Sequence, residues 1–146
     1  TPKRLFRRYA EETPVVVLPT SYLIVYKDLA AHETEYGVEF TYQRRVGKKE
    51  IPCRLYGGAL TENVVQGTAF QLMLWQALRL QEELHQLDPS LNIAFNIHDA
   101  WGVGTPDGYV DKVEELMNKW LSAVPDWLPG FPVACEVEVG TDFTIA

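Results

Sequence analysis

The hydrophobic and polar positions of residues 93–98 alternate with a period of two, which predicts a strand buried on at least one face. The apolar members of the pattern are Ile93, Phe95 and Ile97. A histidine and a carboxylate, His98 and Asp99, follow at the point where an apolar strand would otherwise continue. Because a carboxylate costs several kcal/mol to bury without a partner, we expect Asp99 at the exposed tip of a hairpin.

The segments before this stretch show two further patterns. Alternating residues predict a small antiparallel sheet over residues 14–55, and the adjacent glycines Gly57 and Gly58 predict a break after it. Residues 61–87 then predict a long helix, and because apolar side chains from Val64 to Leu80 lie on nearly every side, much of it is expected to be buried.

The segments after the hairpin predict a second helix and a last strand. Thr105 and Pro106 are typical of an N-cap and a first helical position, and the residues behind them are amphipathic. Residues 133–139 alternate as a strand. This order of elements predicts an α+β fold in which an antiparallel sheet is backed by two helices.

Composition restricts the class of protein. A chain of 146 residues with 47% hydrophobic and 12% aromatic residues is about one domain long and is no disordered tail. No apolar run approaches the roughly 20 residues that span a bilayer, and no signal-peptide pattern begins the chain. We therefore expect a soluble cytoplasmic protein with no membrane partner. Cys53 and Cys135 fit a reduced, intracellular pair.

Charge is distributed unevenly along the chain. The net charge is −7, yet residues 1–54 carry ten Lys or Arg against seven acids, whereas residues 55–146 carry three against thirteen. Residues 1–13 form a basic N-terminal segment, either a short helix or a solvated terminus. A protein this acidic either does not touch nucleic acid or relies on a positive surface supplied elsewhere.

One region of resemblance gives these patterns a functional interpretation. It consists of the run YGGALTENVVQGTA from Tyr56 to Ala69, the long apolar helix, and the strand that ends in His98 and Asp99. This combination resembles the C-terminal palm region of family A DNA polymerases, most closely the phage members. Residues 15–26 and 124–134 resemble the flanking strands and loop of the same region, so residues 14–146 are expected to form a palm subdomain.

The resemblance implies a role for individual residues. Asp99 matches the motif C aspartate that helps to bind two Mg²⁺ ions, and a carboxylate is the ligand type that Mg²⁺ prefers. His98 matches the histidine near the primer terminus. Gln66 matches the glutamine that reaches the minor groove, where hydrogen-bond acceptors are present at every base pair. Asn63 and Arg54 are the remaining candidates for contact with primer-template DNA.

Two positions depart from the family pattern. Ala100 stands where the family usually has a glutamate, and Glu62 stands where bacterial members have an asparagine. The chain also contains no match to motif A, which supplies the second metal-binding aspartate, or to the fingers helix that grips the triphosphate. One carboxylate cannot hold two cations about 4 Å apart, so the polypeptide is expected to be inactive by itself.

Three hypotheses follow. The first is the palm subunit of a split DNA-directed DNA polymerase, or a fragment of a cut one. Its partner chains would supply motif A, fingers and thumb, its substrates would be primer-template DNA and dNTP, and it would work in the cytoplasm, the host's if the protein is viral. The second is a non-catalytic interaction or scaffold module derived from such a palm, with Ala100 as a sign of decay. The third is an unrelated α+β domain that binds a small ligand.

A separate basic group has two interpretations. Arg44, Arg45, Lys48 and Lys49 surround the predicted turn at Gly47. They form either a hairpin that touches phosphate or a solvated turn.

Overall fold

A computed structural model describes residues 15–141, so the basic segment expected at residues 1–13 lies outside the described residues. The chain folds into antiparallel strands and two helices, which confirms the predicted α+β class. No helix in the described range is both long enough and apolar enough to cross a membrane. The chain divides into two compact units, one ending at Ala69 and the other beginning at Phe70.

The first unit contains five strands and the beginning of the long helix. The strands are β1 (Val15–Val17), β2 (Leu23–Val25), β3 (Ala30–Thr34), β4 (Gly37–Val46) and β5 (Lys49–Leu55). Instead of the single sheet expected over residues 14–55, β1 pairs with β2, and β3, β4 and β5 form a separate three-stranded sheet. Strand β3 was not predicted, because all five of its residues are exposed and it has no apolar face to reveal it.

The core of the first unit lies between its strands and the first turns of the helix. Val16, Leu18, Tyr26 and Leu55 are buried there, and Leu60 of the helix packs against them. Gly67 permits this packing, because a Cβ at that position would lie 2.9 Å from the Leu18 side chain.

The long helix, α1, spans Gly57–Leu87 and runs from the first unit into the second. The strand pattern ends at Leu55, as expected from the glycine pair, but α1 starts four residues before the predicted start at Thr61. The Leu60 amide donates to the Tyr56 carbonyl at 2.9 Å and the Thr61 hydroxyl donates to the Gly57 carbonyl at 2.9 Å. These two bonds satisfy backbone carbonyls in the first turn of the helix, which contains both glycines.

The second unit contains the rest of α1, the strands β6 (Asn92–Ile97) and β7 (Ala100–Gly104), and the helix α2 (Val110–Leu121). Its core consists of Leu80 and Leu84 from α1, Leu91 before β6, and Val113 from α2. Leu80 and Leu84 are completely buried. The hairpin β6–β7 is therefore built on a unit whose helices are fixed by apolar packing.

Two predicted boundaries in this unit were wrong. Thr105 does not cap α2: its hydroxyl bonds to the Pro106 carbonyl at 3.3 Å, a 3₁₀ turn occupies Asp107–Tyr109, and α2 begins only at Val110. Residues 133–139 form no strand, because no other described segment pairs with them. They nevertheless alternate in burial, with Val133 and Cys135 half-buried, so their period of two reflects packing on one side without a ladder.

Candidate active site

The hairpin β6–β7 places His98 and Asp99 in a two-residue turn. Strand pairing continues to Ile97 opposite Ala100, which leaves only these two residues at the tip. His98 has a φ of +53°, in the left-handed region. Two-residue hairpin turns need a positive φ at one or both central positions, because only then does the turn match the twist of its strands. The position predicted for Asp99, at the tip of a hairpin, is confirmed.

The side chains of both tip residues are exposed. Within residues 15–141, the Asp99 carboxylate makes no hydrogen bond or ion pair, and the His98 ring makes none either. A left-handed histidine costs roughly 1–2 kcal/mol relative to an ordinary backbone conformation. The strands thus hold in place a strained turn whose two ionisable side chains are directed at solvent.

Asn96 fastens the turn from inside the hairpin. Its Nδ2 donates to the Ala100 carbonyl at 3.0 Å and, more weakly, to the His98 carbonyl at 3.4 Å. The bond to Ala100 spans the tip, since Asn96 lies on one strand and Ala100 begins the other. Sequence reasoning did not select Asn96. The available signal was an amide side chain two residues before the histidine, inside an otherwise apolar strand.

Phe95 and Gly102 set the geometry one step further from the tip. They lie opposite each other, and a register shift between Ile93 and Phe95 brings the phenyl ring across the glycine. A Cβ at residue 102 would lie only 2.1 Å from the Phe95 Cζ atom. Any other residue at 102 would therefore displace the Phe95 ring from its place across the hairpin.

Gln81 of α1 attaches the base of the hairpin to the helix. Its Oε1 accepts from the Ile93 amide at 2.9 Å, and its Nε2 donates to the Leu91 carbonyl at 3.1 Å. The Gln81 side chain thus satisfies backbone groups at the start of β6 that a neighbouring strand would otherwise bond. Gln81 is a second residue that the sequence did not reveal, because its partners lie ten and twelve residues away.

The described residues offer Asp99 as a single exposed carboxylate at this tip. No three His, Cys, Asp or Glu residues within 15–141 are grouped so that they could hold a metal ion. Ala100, next to Asp99, contributes only a methyl group. An exposed carboxylate without a protein donor is a suitable oxygen ligand for Mg²⁺, and further ligands would have to come from water, substrate or another chain.

The other predicted site residues lie in the first unit, each with a different partner. Asn63 Nδ2 donates to the Tyr26 hydroxyl at 3.1 Å, which ties α1 to the residue that follows β2. Burial raises the pKa of Tyr26, and the hydrogen bond with Asn63 partly opposes that rise. Asn63 therefore makes a structural contact, and its predicted contact with DNA stays a prediction.

Gln66 and Arg54 are exposed and each contacts an acid. Gln66 Nε2 donates to Glu62 Oε1 at 3.1 Å, one helical turn back. Arg54 Nη2 on β5 lies 2.7 Å from Glu39 Oε1 on the adjacent strand β4. The structure therefore brings His98 and Asp99 together, whereas it joins Arg54, Asn63 and Gln66 in no common network of hydrogen bonds or ion pairs.

No protein-family model matches the chain, and comparison with curated proteins and solved structures found no match. The resemblance to family A polymerases thus stays a prediction from the motifs.

Proposed function

We propose that this chain is the C-terminal palm portion of a family A type DNA-directed DNA polymerase, as a separate subunit or as a fragment. In this proposal Asp99 provides one of the carboxylates that bind Mg²⁺. The observation that carries the proposal is the carboxylate of Asp99, which is exposed at a two-residue turn and has no partner among residues 15–141. Such a carboxylate is free to act as an oxygen ligand of Mg²⁺.

Each residue has a defined part in the proposed reaction. Asp99 and an aspartate of a partner chain would hold two Mg²⁺ ions, whose positive charge would lower the pKa of the primer 3′-hydroxyl and offset charge on the incoming dNTP. His98, beside Asp99, donates a hydrogen bond to the primer sugar or phosphate. Gln66 exchanges its bond with Glu62 for a minor-groove acceptor, and Arg54 exchanges Glu39 for a phosphate.

The partner chain supplies the remaining machinery: motif A, the fingers, the thumb and most of the DNA-binding surface. The excess of acids after residue 55 agrees with this division, because an acidic chain holds a polyanion poorly without such help. Exposed apolar residues on α1 supply surface that a partner would cover, namely Phe70, Leu74 and Leu78.

The scaffold alternative rests on Ala100. A methyl group in place of a second carboxylate leaves less negative charge for a divalent cation, as expected if a polymerase palm had lost catalysis and kept only its interactions. The two functions differ in one measurable respect. In the first, the mixture of both chains adds nucleotides and loses this activity when the Asp99 carboxylate is removed. In the second, the chain binds its partner, with or without that carboxylate, and the mixture adds no nucleotides.

Primer extension tests the proposal. The chain is mixed with a polymerase polypeptide that carries motif A, fingers and thumb but lacks its own C-terminal palm strands, and Mg²⁺-dependent extension is measured. We expect extension only with both chains present, and a loss of at least about 100-fold with Asp99→Ala, since a metal ligand contributes several kcal/mol to the transition state.

Asp126→Ala is the matched control. Asp126 is an exposed acid of the same unit that makes no ion pair with described residues, so its loss should leave extension unchanged. If Asp99→Ala extends primers as well as the unmodified chain does, Asp99 is no metal ligand. If the unmodified chain binds its partner tightly but the mixture supports no extension, the scaffold function replaces the catalytic one.

A further inference from the structure

The turn between β4 and β5 carries the densest positive charge in the described part of the chain. Four of the six residues from 44 to 49 are cations, and all four are exposed: Arg44, Arg45, Lys48 and Lys49. We refer to these four residues as the basic tip. It lies outside the candidate active site, on a strand pair of the other unit.

Neighbouring acids do not neutralise the basic tip. Glu50 lies 2.5 Å from the Lys27 ammonium, and Glu39 lies 2.7 Å from the Arg54 guanidinium, so each acid of β4 and β5 is already paired with a cation outside the tip. Of the tip residues, Arg45 donates only to the backbone carbonyl of Gly47, at 3.1 Å. The other three make no ion pair or side-chain hydrogen bond with any residue of 15–141.

Charge along the three-stranded sheet is polarised. At the other end of β4, the end of β3 and the turn that follows it carry Glu33 and Glu35, both exposed. Strand β4 has ten residues and therefore separates the acidic from the basic end by roughly 30 Å. This distance greatly exceeds the screening length of about 8 Å at physiological salt, so a ligand at the basic tip experiences little of the acidic end.

The strand register distributes the cations around the ribbon. Arg45 lies opposite Glu50 in the strand register and faces one side of the sheet. Arg44 faces the other side, as does Lys49, which lies opposite Val46. Lys48 lies in the turn itself. A flat anionic surface, such as a lipid headgroup layer, can meet only one side of such a ribbon. The major groove of a duplex is about 12 Å wide, admits a two-stranded β-ribbon, and presents phosphates on both of its walls.

We propose that the basic tip binds the sugar-phosphate backbone of duplex nucleic acid, with the end of the β4–β5 ribbon directed into a groove. Contacts of this kind are independent of sequence and depend strongly on salt, because each neutralised phosphate releases condensed counterions. This inference goes beyond the proposed role of Asp99 and does not need it. Its test contains no catalytic step, so the two proposals can fail separately.

Fluorescence anisotropy with a labelled duplex of mixed sequence tests the proposal, using the whole chain in about 50 to 200 mM salt. The test variant carries Arg44→Gln, Lys48→Gln and Lys49→Gln, three exposed positions without partners in the described structure. Each phosphate contact contributes about 0.9 to the slope of log K against log salt, so the slope should fall by up to about 2.7. For three contacts, the salt-dependent loss of affinity over this range is about 40-fold in the unmodified chain and nearly absent from the variant.

Two further variants separate charge at the tip from charge in general. A matched control neutralises three cations of the second unit, Arg79, Lys112 and Lys119, each of which is paired with a glutamate. We expect it to keep the original slope, as should Arg44→Lys, which preserves charge at the tip. Thermal melting of each variant verifies that it is folded.

Several outcomes decide the proposal. Loss of the salt slope in the triple tip variant alone, with unchanged duplex binding in Asp99→Ala, supports it. Equal losses in the tip variant and in the second-unit control refute it, because the effect would then follow net charge. Two other results also refute it: the same labelled strand binding more tightly when single-stranded than as a duplex, and anionic phosphatidylserine vesicles removing the chain from the duplex at equal phosphate concentration.

Discussion

Replacement of His98 separates the conformation of the turn from the chemistry of the imidazole. His98 has a φ of +53° in the two-residue turn between β6 and β7. Both His98→Ala and His98→Gly remove the ring. Only the glycine also relieves the left-handed backbone, since it has no Cβ.

The difference in stability between the two variants follows from two opposing effects. A left-handed conformation costs a residue with a Cβ roughly 1–2 kcal/mol. Glycine loses about 0.5–1 kcal/mol more conformational freedom than alanine does on folding. We therefore expect the glycine variant to have a free energy of unfolding about 0.5–1 kcal/mol higher than that of the alanine variant.

Hydrogen exchange of the hairpin amides measures this difference locally. The paired amides of Ile97 and Ala100 should exchange about 2- to 5-fold more slowly in His98→Gly than in His98→Ala. Primer extension with a partner chain should fall equally in both variants, because both lack the imidazole. If the alanine variant exchanges as slowly as the glycine variant, His98 is not strained and the turn is not held in the left-handed region.

Three further predictions concern the side chains that stabilise the second unit. Gln76 is buried and its Nε2 donates to two carbonyls at the end of α2, at 3.0 and 2.9 Å, so Gln76→Leu should lower the free energy of unfolding by about 1–3 kcal/mol in urea denaturation. Leu84 is fully buried, and Leu84→Ala should lose about 2–5 kcal/mol in the same assay, whereas exposed Leu78→Ala should lose much less. Hydrogen bonds from the hydroxyl and amide of Ser90, and a further one from Tyr109, lower the pKa of Asp88 below its usual value. Since the folded pKa is the lower one, the stabilisation is present above about pH 4 and is lost as the pH falls through the folded pKa. Urea midpoints measured from pH 7 to about pH 3 should therefore fall more steeply for the unmodified chain than for Asp88→Asn, and parallel curves would contradict this origin.

The sequence by itself determined the elements whose cause is local. The period of two in residues 92–97, followed by two polar residues, was enough to place Asp99 at a hairpin tip, because an unpaired carboxylate does not remain in a core. The apolar residues from 61 to 87 were likewise enough to predict most of α1, and the class of fold followed from the order of elements.

Only the tertiary structure decided features that depend on a distant partner. Residues 133–139 have the pattern of a strand, yet a strand exists only where another segment pairs with it. The bond between Asn63 and Tyr26 could not be read from the sequence, and Gln81 had no signal because its bonds with the start of β6 form only after the helix has packed. The sequence gives the chemical type of each side chain. Which residue that side chain contacts is decided by the packed structure, since contacts between distant segments cannot be read from local spacing.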